Sequence, residues 1–171
     1  MAKNSFKAAR SDSSIHCPHY MKILVLTKRQ YSGYDLLDHR FGRLRELPLE
    51  LARLGHVVRG VALSYRPKDE LVLTDGDSSG NGHVTWHSLN LRRGLMPRLH
   101  CYATRVIHIA KEFRPDLIWA CSDAYHAIFG TWLAKKLGVC CILDLYDNFE
   151  SFKATWVPGV LPRFKIGRAH V

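Results

Sequence analysis

The sequence predicts an α/β fold, a doubly wound and mainly parallel sheet of the Rossmann-like kind. Three observations support this prediction: short apolar segments without polar alternation, amphipathic segments between them, and glycines where the amphipathic segments end. Continuous apolar segments are typical of strands buried on both faces, because helices cover both faces of a parallel sheet. Strands that alternate with helices favour right-handed crossover connections.

The first unit of the fold occupies residues 21–58. Residues 22–27 are predicted to form a strand, and residues 41–54 a helix. Spacings of three and four residues predict one buried stripe on this helix, with the charged side chains facing water. Pro48 is expected either to kink this helix or to mark its regular start. The predicted buried stripe is Leu44, Leu47, Leu51 and Leu54, and the predicted solvent-facing side chains are Arg43, Arg45, Glu46, Glu50 and Arg53.

The later elements continue the alternation of strand and helix. The predicted strands are residues 57–64, an edge strand at 70–74, 83–91, 117–121 and 139–145, and the predicted helices are residues 97–113 and 123–137. A segment rich in Gly, Ser, Asp and Asn before residue 83 marks a solvated loop. The predicted buried side chains of the two helices are Leu99, Val106, Ile109, Ala110, Ile128, Trp132 and Leu133.

Composition and charge exclude several classes of protein. No apolar segment approaches the ~20 residues of a membrane-spanning helix, and residues 1–20 lack the apolar centre of a secretory signal. The net charge of +10 comes without a zinc-finger spacing or a recognition-helix signature, which disfavours nucleic acid as the partner. An ordinary basic cytosolic enzyme is one interpretation, and attraction to an anionic membrane surface is the more specific one. We therefore expect a cytoplasmic protein, peripheral to the inner membrane.

Cysteines and histidines give no indication of a metal site. The five cysteines are odd in number and contain no Cys-x-x-Cys pair, so we expect reduced, buried thiols and no disulfide framework. His83 and His87 stand four apart within a predicted strand, which disfavours a shared metal ion. The cysteines are Cys17, Cys101, Cys121, Cys140 and Cys141.

Both ends of the chain are expected to lie outside the folded body. Residues 1–20 have no periodicity and precede a second methionine, which predicts a disordered tail or an over-extended start. The final segment, residues 166–171 (IGRAHV), matches a translated sequencing-library adapter and is expected to be an artefact. The folded body is then residues 21–165, a domain that is truncated near residue 165.

Three segments of the body resemble a known family when they are taken in order. They are MKILVLT followed by LPLELARLGHVVRGVAL, then FRPDLIWACSDAYHAIFGTWLAKKLGV, and finally CCILDLYDNFESF. Together they resemble the N-terminal domain of glycosyltransferases of the GT-B fold, especially the retaining family 4. The resemblance implies two Rossmann-like domains with the active site between them. This chain would be the acceptor-side domain, and the C-terminal domain would be missing.

The activity that the resemblance implies is transfer of a sugar, with retention, from a nucleotide-sugar donor to a glycan or lipid-linked acceptor. It implies no metal and no cofactor, since the nucleotide-sugar is a co-substrate, and it implies that this chain alone is inactive. A nucleotide-sugar epimerase-like protein and a non-catalytic Rossmann-like binding domain are the alternatives, with a basic α/β interaction module as a third. No G-x-G-x-x-G turn follows the first strand, which disfavours a dinucleotide enzyme.

Residues after the first and fourth strands are candidates for binding donor or acceptor. The resemblance implies that Gly33 approaches the donor phosphates, because only glycine lets backbone N–H groups come so close to an anion; a simple turn glycine is the alternative. Lys28 and Arg29 would add to phosphate neutralisation, or they are solvated loop cations. Ser122 and Asp123 follow the fourth strand, and for Asp123 the favoured alternative is a helix N-cap.

Residues after the fifth strand are the candidates for catalysis. Many family members place a histidine there, and in this chain Tyr146 stands at that position. The resemblance therefore implies that Tyr146 and Asp147 are catalytic, with Asp147 orienting the acceptor hydroxyl or stabilising a cationic sugar. Asn148 and Glu150 are further candidates for donor or acceptor binding, and capping of the next helix is the alternative for Glu150. Asp144 is expected to be structural.

Overall fold

A mostly parallel sheet forms the centre of the computed structural model, which describes residues 20–31, 33–76, 82–91 and 95–145. In chain order, its elements are β1 (Lys22–Lys28), β2 (Gln30–Tyr31), β3 (Tyr34–Asp35), α1 (Arg43–Arg53), β4 (Val57–Ser64), β5 (Leu71–Gly76), β6 (His83–Asn90), α2 (Leu95–Phe113), β7 (Leu117–Cys121), α3 (Ala124–Leu137) and β8 (Cys140–Asp144). The sheet has the order β5-β6-β4-β1-β7-β8, and β2 pairs with β3 in a separate hairpin. Within the six-stranded sheet of the described residues, only β5 runs antiparallel to its neighbour.

This architecture confirms the predicted α/β, Rossmann-like fold. Each predicted strand and helix occurs, with ends that differ by no more than two residues. The β2–β3 hairpin falls in the segment that was predicted to be a loop. The predicted tail, apart from Tyr20, and the predicted artefact at 166–171 lie outside the described residues, so both stay predictions.

Strand β1 lies at the centre of the sheet and of the core. Its residues from Ile23 to Thr27 are all buried, which is why the sequence shows no polar alternation there. Alternate side chains of β1 enter two apolar clusters on opposite faces of the sheet. Helix α1 covers the cluster that contains Val25, and helices α2 and α3 cover the cluster that contains Leu24.

Two glycines determine how closely neighbouring layers and side chains pack. A Cβ atom on Gly60 would lie 2.1 Å from the Trp86 ring, so β4 must carry glycine where that indole crosses it. A Cβ atom on Gly130 would lie 2.5 Å from the Ala120 Cβ, so α3 rests directly on β7 at this point. Close packing of this kind leaves no room even for one added methyl group.

The predicted buried stripe of α1 is wrong at two of its four positions. Leu44 is buried, and Leu51 is partly buried, but Leu47 and Leu54 are exposed. Pro48, Leu49 and Ala52 take their place against the sheet. The cause is the i, i+4 row of Leu44, Pro48 and Ala52, whose two short members let the helix approach the sheet more closely than a leucine row would. The helix also begins at Arg43, before Pro48 rather than at it.

Arg45 does not face water as predicted. Its guanidinium is largely buried and forms a bidentate ion pair with Asp75 on β5, with N–O distances of 2.6 and 2.9 Å. Hydrogen bonding to the Asp75 carboxylate raises the pKa of Arg45, against the opposing effect of burial. The pair joins α1 to the antiparallel edge strand.

The predicted inward face of α3 is correct only at Leu133. Ile128 and Trp132 are exposed, because the small residues Ala127, Gly130 and Ala134 form the face that packs closely on the sheet. The predicted buried faces of α2 are confirmed: Val106, Ile109 and Ala110 are buried, and Leu99 packs against the same cluster.

The prediction of uniformly buried cysteines is also wrong. Cys121 is buried, but Cys101 and Cys140 are exposed and Cys141 is partly buried. Cys140 and Cys141 are not fully buried because β8 is an edge strand of the sheet that the described residues form. The four described cysteines are free thiols.

Two leucines of α1 provide a test of the corrected face. Leu44→Ala should lower the free energy of unfolding by about 2–5 kcal/mol, because Leu44 is 2% exposed in the core. Leu54→Ala, the control at the C-cap of the same helix, should change it by less than about 0.5 kcal/mol, because Leu54 is 73% exposed. Urea denaturation followed by circular dichroism measures both, and equal losses would contradict the assignment.

Candidate functional site

The carboxyl ends of β1, β4 and β7 meet at one edge of the sheet, which we call the carboxyl edge. From β1 the chain crosses to β4 on one side, whereas from β7 it crosses to β8 on the other side. Between β1 and β7 the direction of winding therefore reverses. In open α/β sheets the loops at such a reversal separate and leave a crevice in which ligands bind.

Ser122 lies at the point where β1 and β7 end. Its backbone φ is 83°, in the left-handed region that few residues other than glycine adopt, and its side chain is fully buried. The Ser122 hydroxyl accepts a hydrogen bond of 3.1 Å from the Lys28 N–H and donates one of 2.5 Å to the Cys121 carbonyl. Ser122 thus satisfies backbone groups at the floor of the crevice, at a strained position of the kind that clusters at functional sites.

Asp123 projects a fixed carboxylate at the same edge. Its Oδ1 accepts a hydrogen bond of 3.0 Å from the His126 N–H and lies 2.6 Å from the His126 Nδ1, and its Oδ2 accepts one of 3.0 Å from the Tyr65 hydroxyl. The favoured alternative, an N-cap of α3, is confirmed. Burial raises the pKa of Asp123, but the hydrogen bonds from His126 and Tyr65 outweigh it and leave that pKa lowered. Asp123 is therefore ionised at neutral pH.

A buried group of titratable side chains lies around Asp123. His126 and Tyr102 are buried with ring centroids 5.9 Å apart, and neither the His126 Nε2 nor the Tyr102 hydroxyl has a hydrogen-bond partner among the described residues. Burial, together with the charge of Asp123, raises the pKa values of Tyr65, Tyr102 and Tyr125. Perturbed groups that cluster around one charge in a crevice are typical of functional sites.

Sequence reasoning missed Tyr65 and the full burial of His126. Tyr65 directly follows β4, and the carboxyl ends of parallel strands share an edge, so its place near Asp123 followed from the predicted elements. The hydrogen bond from Tyr65 to Asp123 could not be predicted, since the two residues are far apart in sequence.

The loop after β1 is held by Arg29, which is 1% exposed. Its guanidinium binds both carboxylate oxygens of Asp35 at 2.8 and 2.9 Å and the Ser88 hydroxyl at 2.8 Å, and it also pairs with Asp38. The alternative that Arg29 is a solvated loop cation is wrong. Burial raises the pKa of Asp35, but hydrogen bonds from Asp38, Leu37 and Arg29 leave it lowered. The predicted contact of Arg29 with donor phosphate stays a prediction.

The glycine at the start of α1 is Gly42, and Gly33 lies elsewhere. Gly33 lies between β2 and β3, exposed, with a φ of 82°, so it has the place of a turn glycine. Gly42 has a φ of 96° and occupies the N-cap of α1 without a side-chain cap, and its carbonyl accepts the N–H groups of Arg45 and Glu46. Sequence reasoning missed Gly42 because the predicted helix began at residue 41, two residues before the observed start, and so included this glycine. Lys28 ends β1 beside this loop, partly buried.

Asp144 has the structural role that was predicted for it. Its carboxylate pairs with Arg43 at the start of α1 and so ties the end of β8 to that helix. Four further predicted site residues lie outside the described residues and stay predictions: Tyr146, Asp147, Asn148 and Glu150.

The described residues contain neither a cluster of metal ligands nor a membrane-spanning helix. Across the described ranges, no three side chains of His, Cys, Asp or Glu come together as a metal site would require. Among the described helices, none combines the length and the apolar character of a membrane span.

The opposite edge of the sheet has a cavity of about 430 Å³. Its lining includes His56, Arg59, His83 and Phe113, near the amino ends of β4 and β6. In open α/β sheets the amino ends of strands are the edge away from the ligand crevice. This cavity is a structural competitor of the carboxyl edge.

Comparison with known proteins gives a family and several similar solved structures, two of which are described below. The model of the glycosyl transferase 4-like domain family matches residues 43–169. The C-terminal domain of a hydrogenase from Pyrococcus furiosus is 14% identical, with 72% of this chain and 91% of that chain covered and a TM-score of 0.45. The trehalose-6-phosphate protein of E. coli, with UDP-2-fluoro glucose bound, is 16% identical, with 69% of this chain covered and a TM-score of 0.37.

The chain spans 31% of the length of that E. coli protein. No curated protein matches the chain.

Asp123→Asn should make the free energy of unfolding depend less on pH in the acidic range. Because the pKa of Asp123 is lowered in the folded state, its ionised form stabilises the fold above the unfolded pKa of about 4, and this contribution disappears as the pH falls through the folded pKa. Removing the charge should cost about 1–2 kcal/mol at pH 7 and flatten the loss of stability below about pH 4.

The matched control is Asp116→Asn, at the amino end of the same strand, where the carboxylate accepts a 2.8 Å hydrogen bond from the exposed Lys22 N–H. Urea titrations from neutral to acidic pH measure both variants. An acid dependence unchanged in Asp123→Asn would contradict the assignment of the ionised carboxylate.

Proposed function

The chain belongs to the glycosyl transferase 4-like domain family, and on this premise we propose that its carboxyl edge is the acceptor-side wall of a glycosyl transfer site. The donor in this proposal is a nucleotide-sugar, and the acceptor is a glycan or a lipid-linked sugar. Transfer proceeds with retention at the anomeric carbon, as the resemblance to retaining family 4 enzymes implies.

The observation that supports this proposal best is the Asp123 carboxylate at the reversal of winding. Hydrogen bonds from His126 and Tyr65 hold both of its oxygens in place, so it needs no reorganisation when a substrate arrives. In the proposal, Asp123 accepts a hydrogen bond from the attacking hydroxyl of the acceptor. Its negative charge also favours the cationic sugar that develops as the bond to the leaving phosphate breaks.

The start of α1 provides a second part of the proposed site. The dipole of a helix attracts anions to its N-terminus, and Gly42 adds no side chain that would exclude a phosphate. We assign the diphosphate of the donor to this position, with Lys28 at the end of β1 as a compensating cation. This assignment moves the phosphate-binding glycine from Gly33, as predicted, to Gly42.

The other wall of the site belongs to a second domain in this proposal. The family resemblance assigns most donor contacts to a C-terminal Rossmann-like domain, so this chain alone is expected to be inactive. A genomic reading frame that continues beyond residue 165 into such a domain, with a Glu-x₇-Glu segment, is the expected finding. A stop codon near residue 165 would contradict it.

We propose that the protein acts at the cytoplasmic surface of the inner membrane. A net charge of +10 attracts the chain to anionic lipid, at ~1 kcal/mol for each cation near the surface. Flotation with anionic and neutral vesicles at low and high salt tests this, and equal flotation with both kinds of vesicle would contradict it.

The transfer itself is tested on the gene product expressed from its whole reading frame. We expect one of a panel of UDP-, GDP-, ADP- and dTDP-hexoses to release nucleoside diphosphate in the presence of a membrane glycolipid extract. Asp123→Asn should lower kcat/KM by about 10²–10³-fold, because it removes a charge that is aimed at the transition state. Asp116→Asn, at the other end of β7, should leave it within about twofold.

Retention is tested on the product of the same reaction. Proton NMR of the first product should show the anomeric configuration of the donor. The opposite configuration would establish an inverting transfer, in which Asp123 would act as the general base on the acceptor hydroxyl.

A further inference from the structure

Two aromatic side chains are exposed together on the loop between β1 and α1. Tyr34 is 50% exposed and Phe41 is 46% exposed, and their ring centroids lie 4.4 Å apart with the ring planes at 31°. His39 stands edge-on to Tyr34, with ring centroids 5.8 Å apart. We call Tyr34, His39 and Phe41 the aromatic platform. Neither the fold nor the cluster around Asp123 requires these rings to be at the surface.

The backbone that presents this platform is fixed from below. The buried Arg29 side chain binds Asp35, the residue after Tyr34, and the Asp35 carboxylate accepts the N–H groups of Leu37 and Asp38. The Asp35 N–H donates to the His39 Nδ1 at 2.8 Å, which also fixes the His39 ring. An aromatic surface on so constrained a loop loses little conformational freedom when a ligand binds.

Hydrogen-bonding groups lie on the same loop as the platform, since Asp38 directly precedes His39. The Asp38 carboxylate is 41% exposed and pairs with the buried Arg29 and with Lys68. It offers acceptor lone pairs, the Lys68 ammonium offers donors, and the two charges compensate each other. A neutral ligand with many hydroxyls suits this rim better than an anionic surface does.

The size of the platform also restricts its ligand. Two rings form a patch far smaller than the several hundred Å² that indicate a protein or membrane interface. A pyranose ring has one apolar face of C–H groups, which packs on an aromatic ring, and a rim of hydroxyls, which pairs with carboxylate and ammonium groups. These are the two kinds of contact that the platform and its rim provide.

From this geometry we propose that the aromatic platform, with Asp38 and Lys68 at its rim, binds a pyranose ring of the glycan acceptor. The inference rests on the proposed function, since it assigns a subsite of the same carboxyl edge. The ring packs by its C–H face on Tyr34 and Phe41, and its hydroxyls bond to Asp38 and Lys68. No covalent step occurs at this subsite, which positions the acceptor and contributes to its recognition.

Saturation-transfer difference NMR on the full chain tests the subsite directly, with methyl hexopyranosides as the probes. We expect transfer from aromatic protons of the protein to the C–H protons of the sugar. Tyr34→Ala and Phe41→Ala should each weaken binding by about tenfold, because each removes one stacking surface. Tyr34→Phe should bind as the parent does, because it keeps the ring.

Leu54→Ala is the control, since it removes an apolar side chain that is even more exposed, 73% against 50% and 46%, at the other end of α1. Circular dichroism melts check that every variant is folded; both platform side chains are exposed, so we expect intact folds. Equal binding by the parent and both alanine variants would overturn the proposal. So would flotation of the parent, but not of the alanine variants, with neutral vesicles, because a lipid surface would then be the ligand.

The outcome is separable from that of the proposed function. Sugar binding at the platform does not need a donor or a second domain. If the alanine variants bind sugar normally while Asp123→Asn abolishes transfer by the whole gene product, the subsite is wrong and the transferase stands. If the platform binds sugar and no nucleotide-sugar turns over, the transferase is wrong and the chain is a sugar-binding module.

Discussion

The structure depends on the double pairing of β1, whose backbone is bonded to β4 on one side and to β7 on the other. A strand in that position is covered on both faces, so its side chains from Ile23 to Thr27 must be apolar or small. The crossovers from β1 and β7 leave in opposite directions, and the crevice between them follows from that divergence. Ser122 lies at the floor of this crevice, where its hydroxyl accepts a hydrogen bond from the Lys28 N–H at the end of β1. Its backbone adopts a left-handed conformation that few residues tolerate.

Buried charge organises the surface above this crevice. Arg29 can be buried because Asp35, Asp38 and Ser88 accept hydrogen bonds from its guanidinium. Burying the same charge without partners would cost several kcal/mol. The same arrangement orders the loop that presents the aromatic platform. Asp123 is held in a comparable way by His126 and Tyr65. The proposed acceptor subsite and the proposed catalytic carboxylate thus both rest on partners that are themselves fixed.

Sequence patterns predicted the order and kind of the elements well, because continuous apolarity and helical spacing are local signals. They wrongly predicted that Leu54 and Trp132 are buried. Close packing determines which helix face is buried, and glycine, alanine and proline form the closely packed faces of α1 and α3. The patterns also failed for Arg29, because no local pattern shows that a cation after a strand will meet two carboxylates underneath a loop. The N-cap role of Asp123 was predictable from its place before a helix, whereas its pairing with Tyr65 depends on a contact between distant segments.

The central claim is that ligands bind at the carboxyl edge and not in the cavity beside His56 and His83. Hydrogen–deuterium exchange of the whole gene product, with and without the nucleoside diphosphate and the acceptor of its reaction, distinguishes the two edges. The account predicts slower exchange at residues 33–43 and 122–126, around the platform, the start of α1 and Asp123. Slower exchange confined to residues 56–59 and 82–85, which border the cavity at the amino ends of β4 and β6, would contradict it.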